Sequence, residues 1–319
     1  MIPNSTASRF TRLFGTGLLV IIAFWLLFAF FWSDPDDTQG EVVRLFYVHV
    51  PSALGTYTAF IVCGLASAFY LWKKSEFADL LAHAAAEVGV VFCVLMLATG
   101  SIWGRPTWGT YWDWGDVRLV TSLVLLLLFV GYLALRAVPG DSGQRSKQAS
   151  IVALVALLDI PLINRSVEWF ENKTLHQKGT VLLGKIEDFN LFATFLGVVA
   201  MTGIMVWLMV HRFRIAWLRR QLLTTGLDQA LLERRAEATG DVGGATAYNG
   251  FAPAIAAALA FQQTDIPGNW GYIFAGWGLS LTVLALYGLF LVREGRRLTQ
   301  AVPPERRRWT TTPTDEGSR

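Results

Sequence analysis

Six apolar runs of about bilayer-crossing length are strung through the first two thirds of this chain, at 14–33, 52–72, 84–103, 118–137, 149–164 and 189–210. A helix needs about 17 to 25 apolar residues for that crossing. Within lipid, only a helix or a closed barrel satisfies its own backbone. A seventh run, 270–292, follows a long polar interval. The expected fold is an all-α integral membrane protein: a six-helix transmembrane bundle plus one additional C-terminal transmembrane helix. With 53% hydrophobic and only 16% charged residues, the bulk solvent of the chain is lipid. The fifth run is the shortest and carries Asp159 and Pro161 near its end. The first is too long for a secretory signal and lacks a small-x-small cleavage site.

Lys and Arg in the short loops set the expected orientation. Lys73 and Lys74, then Arg136, Arg145 and Lys147, then the stretch from His211 to Arg220 share one side with the N-terminus, expected to be the cytoplasm. Loops 34–51, 104–117 and 165–188 then face outward, although the third contains Lys173, Lys178 and Lys185. The Arg-rich stretch from Arg293 to Arg308 places the C-terminus in the cytoplasm as well.

The outer side holds an unusual segment, GSIWGRPTWGTYWDWGDVRLVTS from Gly100 to Ser122, with four of the thirteen tryptophans in twelve positions. An interfacial belt has one or two indoles per helix end. A ring-rich loop offers flat aromatic surface at the bilayer edge, which suits a flat apolar ligand with charged edges such as haem. His49 and His176 lie in the outer loops on either side of it, where neutral imidazoles can ligate a haem iron; ordinary exposed loop histidines are the plainer reading. For His83 and His211, on the cytoplasmic side, a polar residue at a helix end is sufficient. Cys63 and Cys93 read as small buried hydrophobes. No Cys-x-x-Cys-His is present, so the chain does not attach haem to itself.

Three motifs, FYVHVPSA around His49, the run AAAEVGVVFCVLMLATGSIWGRPTWGTYWDWGD, and DIPLINRSVEWFENKTLHQ around His176, resemble the cytochrome c maturation protein C family (CcmC). These are haem-handling proteins of the WWD class in the bacterial inner membrane. The resemblance covers roughly residues 14–211, with the motifs in the family's order. It implies a periplasmic Trp-rich loop flanked by two loops that each carry a haem-ligating histidine, here His49 and His176. The Trp motif falls on Trp108, Gly109, Trp112, Trp114 and Asp116, and the bound group is non-covalent haem b. Two departures occur. The family's Trp-Asp is Trp114-Gly115-Asp116 here, so Asp113 competes with Asp116 for the acidic role. Glu171, Asn172 and Lys173 intervene after Phe170, which replaces a usual Trp. Both changes fall in loops, where insertions cost little.

The implied activity is haem presentation at the periplasmic face and handover to a periplasmic haem chaperone (CcmE), with transporter subunits CcmA and CcmB releasing the loaded chaperone. It is delivery, not catalysis, although a lyase-like part in loading the chaperone fits too. Alternatives are a haem-attaching cytochrome c synthetase of the sister WWD family and a haem transporter subunit. Arg44, Arg105 and Arg118 lie at the outer face, where a guanidinium can fork onto a haem propionate or meet lipid headgroups. Glu87 falls in the first turns of the third helix, with the helix dipole to stabilise it. Membrane lipid is an expected partner and nucleic acid is not.

The chain divides into 1–211, the six-span haem-handling WWD domain; 212–249, a basic amphipathic helix and Gly-containing linker; 250–264, a marginal apolar segment; and 265–319, a single-span tail. Residues 269–297, with an aromatic start and a basic end, resemble the small partner subunit of the same system (CcmD), supplied here in cis.

Overall fold

The computed structural model describes residues 8–176, 188–237 and 269–302. Among them the chain is helical apart from short connections, with eight α-helices in the order α1 (Arg9–Leu27), α2 (Phe46–Lys73), α3 (Glu76–Trp108), α4 (Val117–Ala137), α5 (Ser142–Leu157), α6 (Asp159–Trp169), α7 (Asp188–Glu237) and α8 (Trp270–Ala301). Short polar side chains start four of them. Ser8, Ser75, Asp116 and Asp141 accept hydrogen bonds from the backbone N–H of Thr11, Ala78, Leu119 and Gln144, groups that have no partner within their own helix.

Seven helical stretches are long and apolar enough to cross a membrane, and the protein is a multi-pass membrane protein. The fifth is α5 and α6 together, Ser142–Trp169. The chain breaks between them at Leu158 because Pro161 has no N–H to donate four residues back, to the carbonyl of Leu157. Asp159 sits at that break, with Oδ2 buried and without a hydrogen-bond partner.

α2 and α3 form the centre of the bundle, and α7 packs on both. The Phe60 and Phe129 rings, 3.6 Å apart and nearly parallel, tie α2 to α4. α7 and α8 run side by side in the same direction. Trp277 near the start of α8 meets Arg44, and Asn190 at the start of α7 donates to the carbonyl of Asp34. At the other end Arg219 pairs with Glu294 at 3.0 Å.

Several sequence expectations change. The stretch after residue 211 is the continuation of α7, which runs unbroken to Glu237. Residues 238–268, including the marginal apolar segment 250–264, lie outside the described residues. Glu87 is three turns inside α3, which begins at Glu76, so the helix dipole is not what holds it. Its carboxylate instead receives both Nε and Nη2 of Arg212 and faces Nε2 of His83 at 3.0 Å. His83 thus belongs to a buried ion cluster between α3 and α7. It does not sit at a helix end.

Candidate functional site

His49 is not in a loop. α2 begins at Phe46, and Pro51 lies inside it, so His49 occupies the first turn of a transmembrane helix. Pro51 cannot donate to the carbonyl of Tyr47, and that oxygen instead faces Gly197 of α7: a Cβ there would stand 2.7 Å from it. The imidazole of His49 points at α3. Its Nδ1 lies 3.0 Å from the carbonyl oxygen of Met96 and 3.2 Å from the hydroxyl of Thr99. A carbonyl only accepts, so Nδ1 carries the proton and Nε2 keeps its lone pair. Gly100 makes this approach feasible, since a Cβ at that position would fall 2.8 Å from Cε1 of His49.

α3 ends at Trp108 because Gly109 takes a left-handed conformation, φ 77°. The Trp-rich loop proper is therefore Gly109–Asp116, shorter than the apolar pattern implies. Asp116 closes it and does two jobs. Oδ1 caps α4 at the N–H of Leu119, 3.0 Å away. Oδ2 accepts from the N–H of Leu175 at 2.7 Å and from the hydroxyl of Thr174 at 3.3 Å, which fixes the segment carrying His176. The same oxygen stands 3.7 Å from Nδ1 of His176, an electrostatic contact rather than a hydrogen bond. Burial pushes the Asp116 carboxyl up, but His176 and the two backbone N–H groups outweigh it and hold its pKa at about 2. Burial lowers the His176 pKa from its ordinary value, against the opposing pull of Asp116. His176 is therefore neutral near pH 7, with Nδ1 turned to a carboxylate that favours the proton there.

The two histidines come together. His176 lies within electrostatic reach of His49, and Arg118 acts on both. Their neighbours are indoles: Trp103 is 5.6 Å from the His49 ring, Trp108 is 4.9 Å from the His176 ring, and the two tryptophans are 6.5 Å apart. Trp103 carries no role in the sequence reading. It anchors this wall by donating its N–H to Gln39 at 2.9 Å. The one sequence signal for it is its place in Gly100–Trp103, one turn from Thr99.

The expected three-indole platform is divided. Trp108 faces the histidines, whereas Trp112 and Trp114 pair edge-on at 5.6 Å over a different face of α3. There they border an open, almost wholly apolar groove of about 390 Å³, with Val94, Leu97, Ala98 and Ser101 of α3 and Leu123 and Leu126 of α4. Trp112 buries its Nε1 without a hydrogen-bond partner, and Trp114 is 74% exposed.

The three arginines separate too. Arg44 is buried, donating to Glu41 at 2.7 Å and Ser33 at 2.6 Å, so its guanidinium is committed to the protein. Arg105 is exposed, donates to the carbonyl of Gly109 and lies over the Tyr111 ring. Arg118 alone of the three lies beside both histidines.

Two neutral imidazoles, each with Nδ1 turned to an oxygen and each against an indole, fit bis-imidazole ligation of a haem iron. A family model described as heme exporter protein C matches residues 4–227. The chain belongs to the heme exporter protein C family. It is 36% identical over 200 residues to heme exporter protein C of Bradyrhizobium diazoefficiens, covering 61% of this chain and 75% of that one. With the Haemophilus influenzae protein of the same name it is 31% identical over 219 residues, 66% and 86% of the two chains. A cytochrome c biosynthesis ccmC-like mitochondrial protein of Marchantia polymorpha is 36% identical over 168 residues, 53% and 67%.

The insertion at Gly115 raises a choice between acids that the geometry weighs. Asp113 only turns back to the N–H of Gly115 at 2.8 Å, while Asp116 ties α4 to the His176 segment. Asp116→Asn is expected to weaken haem retention by roughly tenfold, in the range for losing an outer-shell partner of a metal ligand. Asp113→Asn should change it little. Equilibrium haem titration of the two purified variants decides, and a larger loss from Asp113→Asn would reverse the assignment.

Proposed function

We propose that this protein binds haem b non-covalently between His49 and His176 and delivers it for cytochrome c maturation. Haem is the cargo, and the protein's part is ligation, orientation and presentation rather than catalysis. The observation that carries the reading is the convergence of His49 on α2 and His176 beyond α6, each with Nδ1 directed at an oxygen and each beside an indole. Trp103 and Trp108 provide apolar wall, Arg118 offers a guanidinium for a propionate, and Trp112 with Trp114 offers a second aromatic edge towards the lipid. Trp108, Gly109, Trp112, Trp114 and Asp116 thus keep separate parts: stacking, loop reversal, exposed edge, and positioning of His176.

The positive residues at the opposite end of the bundle support placing this site at the periplasmic face of the bacterial inner membrane, with both termini cytoplasmic. Exposed Trp114 suits a surface from which a periplasmic chaperone (CcmE) takes the haem, with CcmA and CcmB forming the transporter that works beside it. α8 is read as a CcmD-like helix supplied in cis.

Haem-loaded protein mixed with the apo-chaperone tests this. Covalent haem should appear on the chaperone from wild type, and several-fold less from Trp114→Ala, whose loss of one stacked ring costs about 1 kcal/mol. A cysteine at position 109, but not one at 142, should react with an impermeant thiol reagent from the periplasmic side. Transfer without the protein, or labelling at 142 alone, would overturn the reading.

A further inference from the structure

We infer that α8 is a positioning element for His49, so the C-terminal helix is part of the haem site's scaffold. The inference rests on the reading of His49 as an iron ligand. His49 is presented by the first turn of α2, and that turn grows from a short 3-10 stretch, Glu41–Leu45. Such stretches have weak internal hydrogen bonds, so what they pack on decides where they sit. Here they pack on α8.

Trp277 is 2% exposed and donates its indole N–H to the carbonyl of Arg44 at 3.0 Å. Its ring is clamped between Trp25 at 4.6 Å and Phe30 at 5.1 Å, so the donor is itself immobile. Two turns earlier, the Trp270 ring lies 5.6 Å from the Arg44 guanidinium. Gly276 brings α8 against the next residue: a Cβ there would stand 2.4 Å from Cδ2 of Leu45. Leu45 is fully buried and lies four residues before His49, one helical turn below it on the same face. α8 also reaches the Trp-rich loop, where Tyr272 lies beside Tyr111, the residue under Arg105. The aromatic end of α8 therefore holds both the His49 segment and the loop that leads to Asp116. An iron ligand has to be held to within about half an ångström.

The test uses full-length protein loaded with haem in detergent and read by haem titration and by the low-spin absorption and EPR signals. Trp277→Phe keeps the packed ring and removes only the N–H; it should weaken haem retention about fivefold, the worth of one ordinary hydrogen bond, and shift the low-spin signals. Gly276→Leu should do more. Leu289→Ala, on the exposed inner half of α8, should leave both readouts at wild-type values. In a His49→Ala background, Trp277→Phe should add no further loss. Wild-type retention and spectra in the Trp277 and Gly276 variants, with haem lost from His49→Ala, would overturn the role of α8. So would an equal loss from Trp277→Phe in both backgrounds, which marks general destabilisation. If His49→Ala itself leaves the spectrum unchanged, the ligand reading beneath the inference fails instead. Should Gly276→Leu not fold, Trp277→Phe decides alone.

Discussion

Replacing His49 or His176 with Ala is expected to strip one axial ligand from bound haem and convert a six-coordinate low-spin spectrum to a high-spin or haem-free one. Met96 and Asp116 each face an Nδ1, which leaves each imidazole an Nε2 lone pair, and each ring lies against one of two neighbouring indoles, Trp103 and Trp108. His83→Ala and His211→Ala should leave the bands unchanged. Nε2 of His83 stands 3.0 Å from Glu87 and 2.9 Å from Nη2 of Arg212, and His211 lies under the Trp207 ring on α7. Because burial holds His176 below its ordinary value, the low-spin bands should persist as pH falls through about 6.5, where a free imidazole would protonate and leave the metal. Loss of the bands at or above that pH would show that His176 is not shielded as its surroundings indicate.

Arg212→Met is expected to be the most damaging single change to stability. The Arg212 side chain is 7% exposed and binds the Glu87 carboxylate through two nitrogens, with His83 on the same carboxylate. Removing the guanidinium strands a half-buried carboxylate, its side chain 20% exposed, so the loss approaches but does not reach the ~3–5 kcal/mol of a fully buried pair. The fraction of monodisperse protein surviving a heat challenge in detergent should drop sharply. The double change Arg212→Met with Glu87→Leu should recover most of it, because then neither charge is left unpaired. A double variant as unstable as the single one would mean that packing, not charge pairing, is what Arg212 supplies.

These two sites differ in how far they could be read in advance. The membrane helices were legible because apolar length is itself the cause of insertion. Asp116 was legible only as an acid of the Trp motif; its capping of α4 and its hold on the Leu175 N–H come from the structure. The helical setting of His49 was hidden by Pro51, which reads as a boundary. The helix continues past it because Val48 and Tyr47 are buried in the bundle and Gly197 accommodates the freed carbonyl. The division of the tryptophans was hidden as well. Trp103 and Trp108 are five apart on α3 and flank the histidines, whereas Trp112 and Trp114 lie beyond the Gly109 reversal, and spacing in the sequence does not say which way a loop turns. The cluster of Glu87, His83 and Arg212 joins residues 125 positions apart, and α8 meets Arg44 across 233. Contacts at that separation follow from how helices pack and leave no local pattern.

The central claim is that one haem iron is held between His49 and His176. EPR of the ferric haem bound to purified full-length protein tests it most directly. The account predicts a rhombic low-spin signal of bis-imidazole ligation in wild type, replaced by a high-spin signal or by loss of haem in both His49→Ala and His176→Ala. A high-spin signal in wild type, or a low-spin signal that survives either substitution, would contradict it.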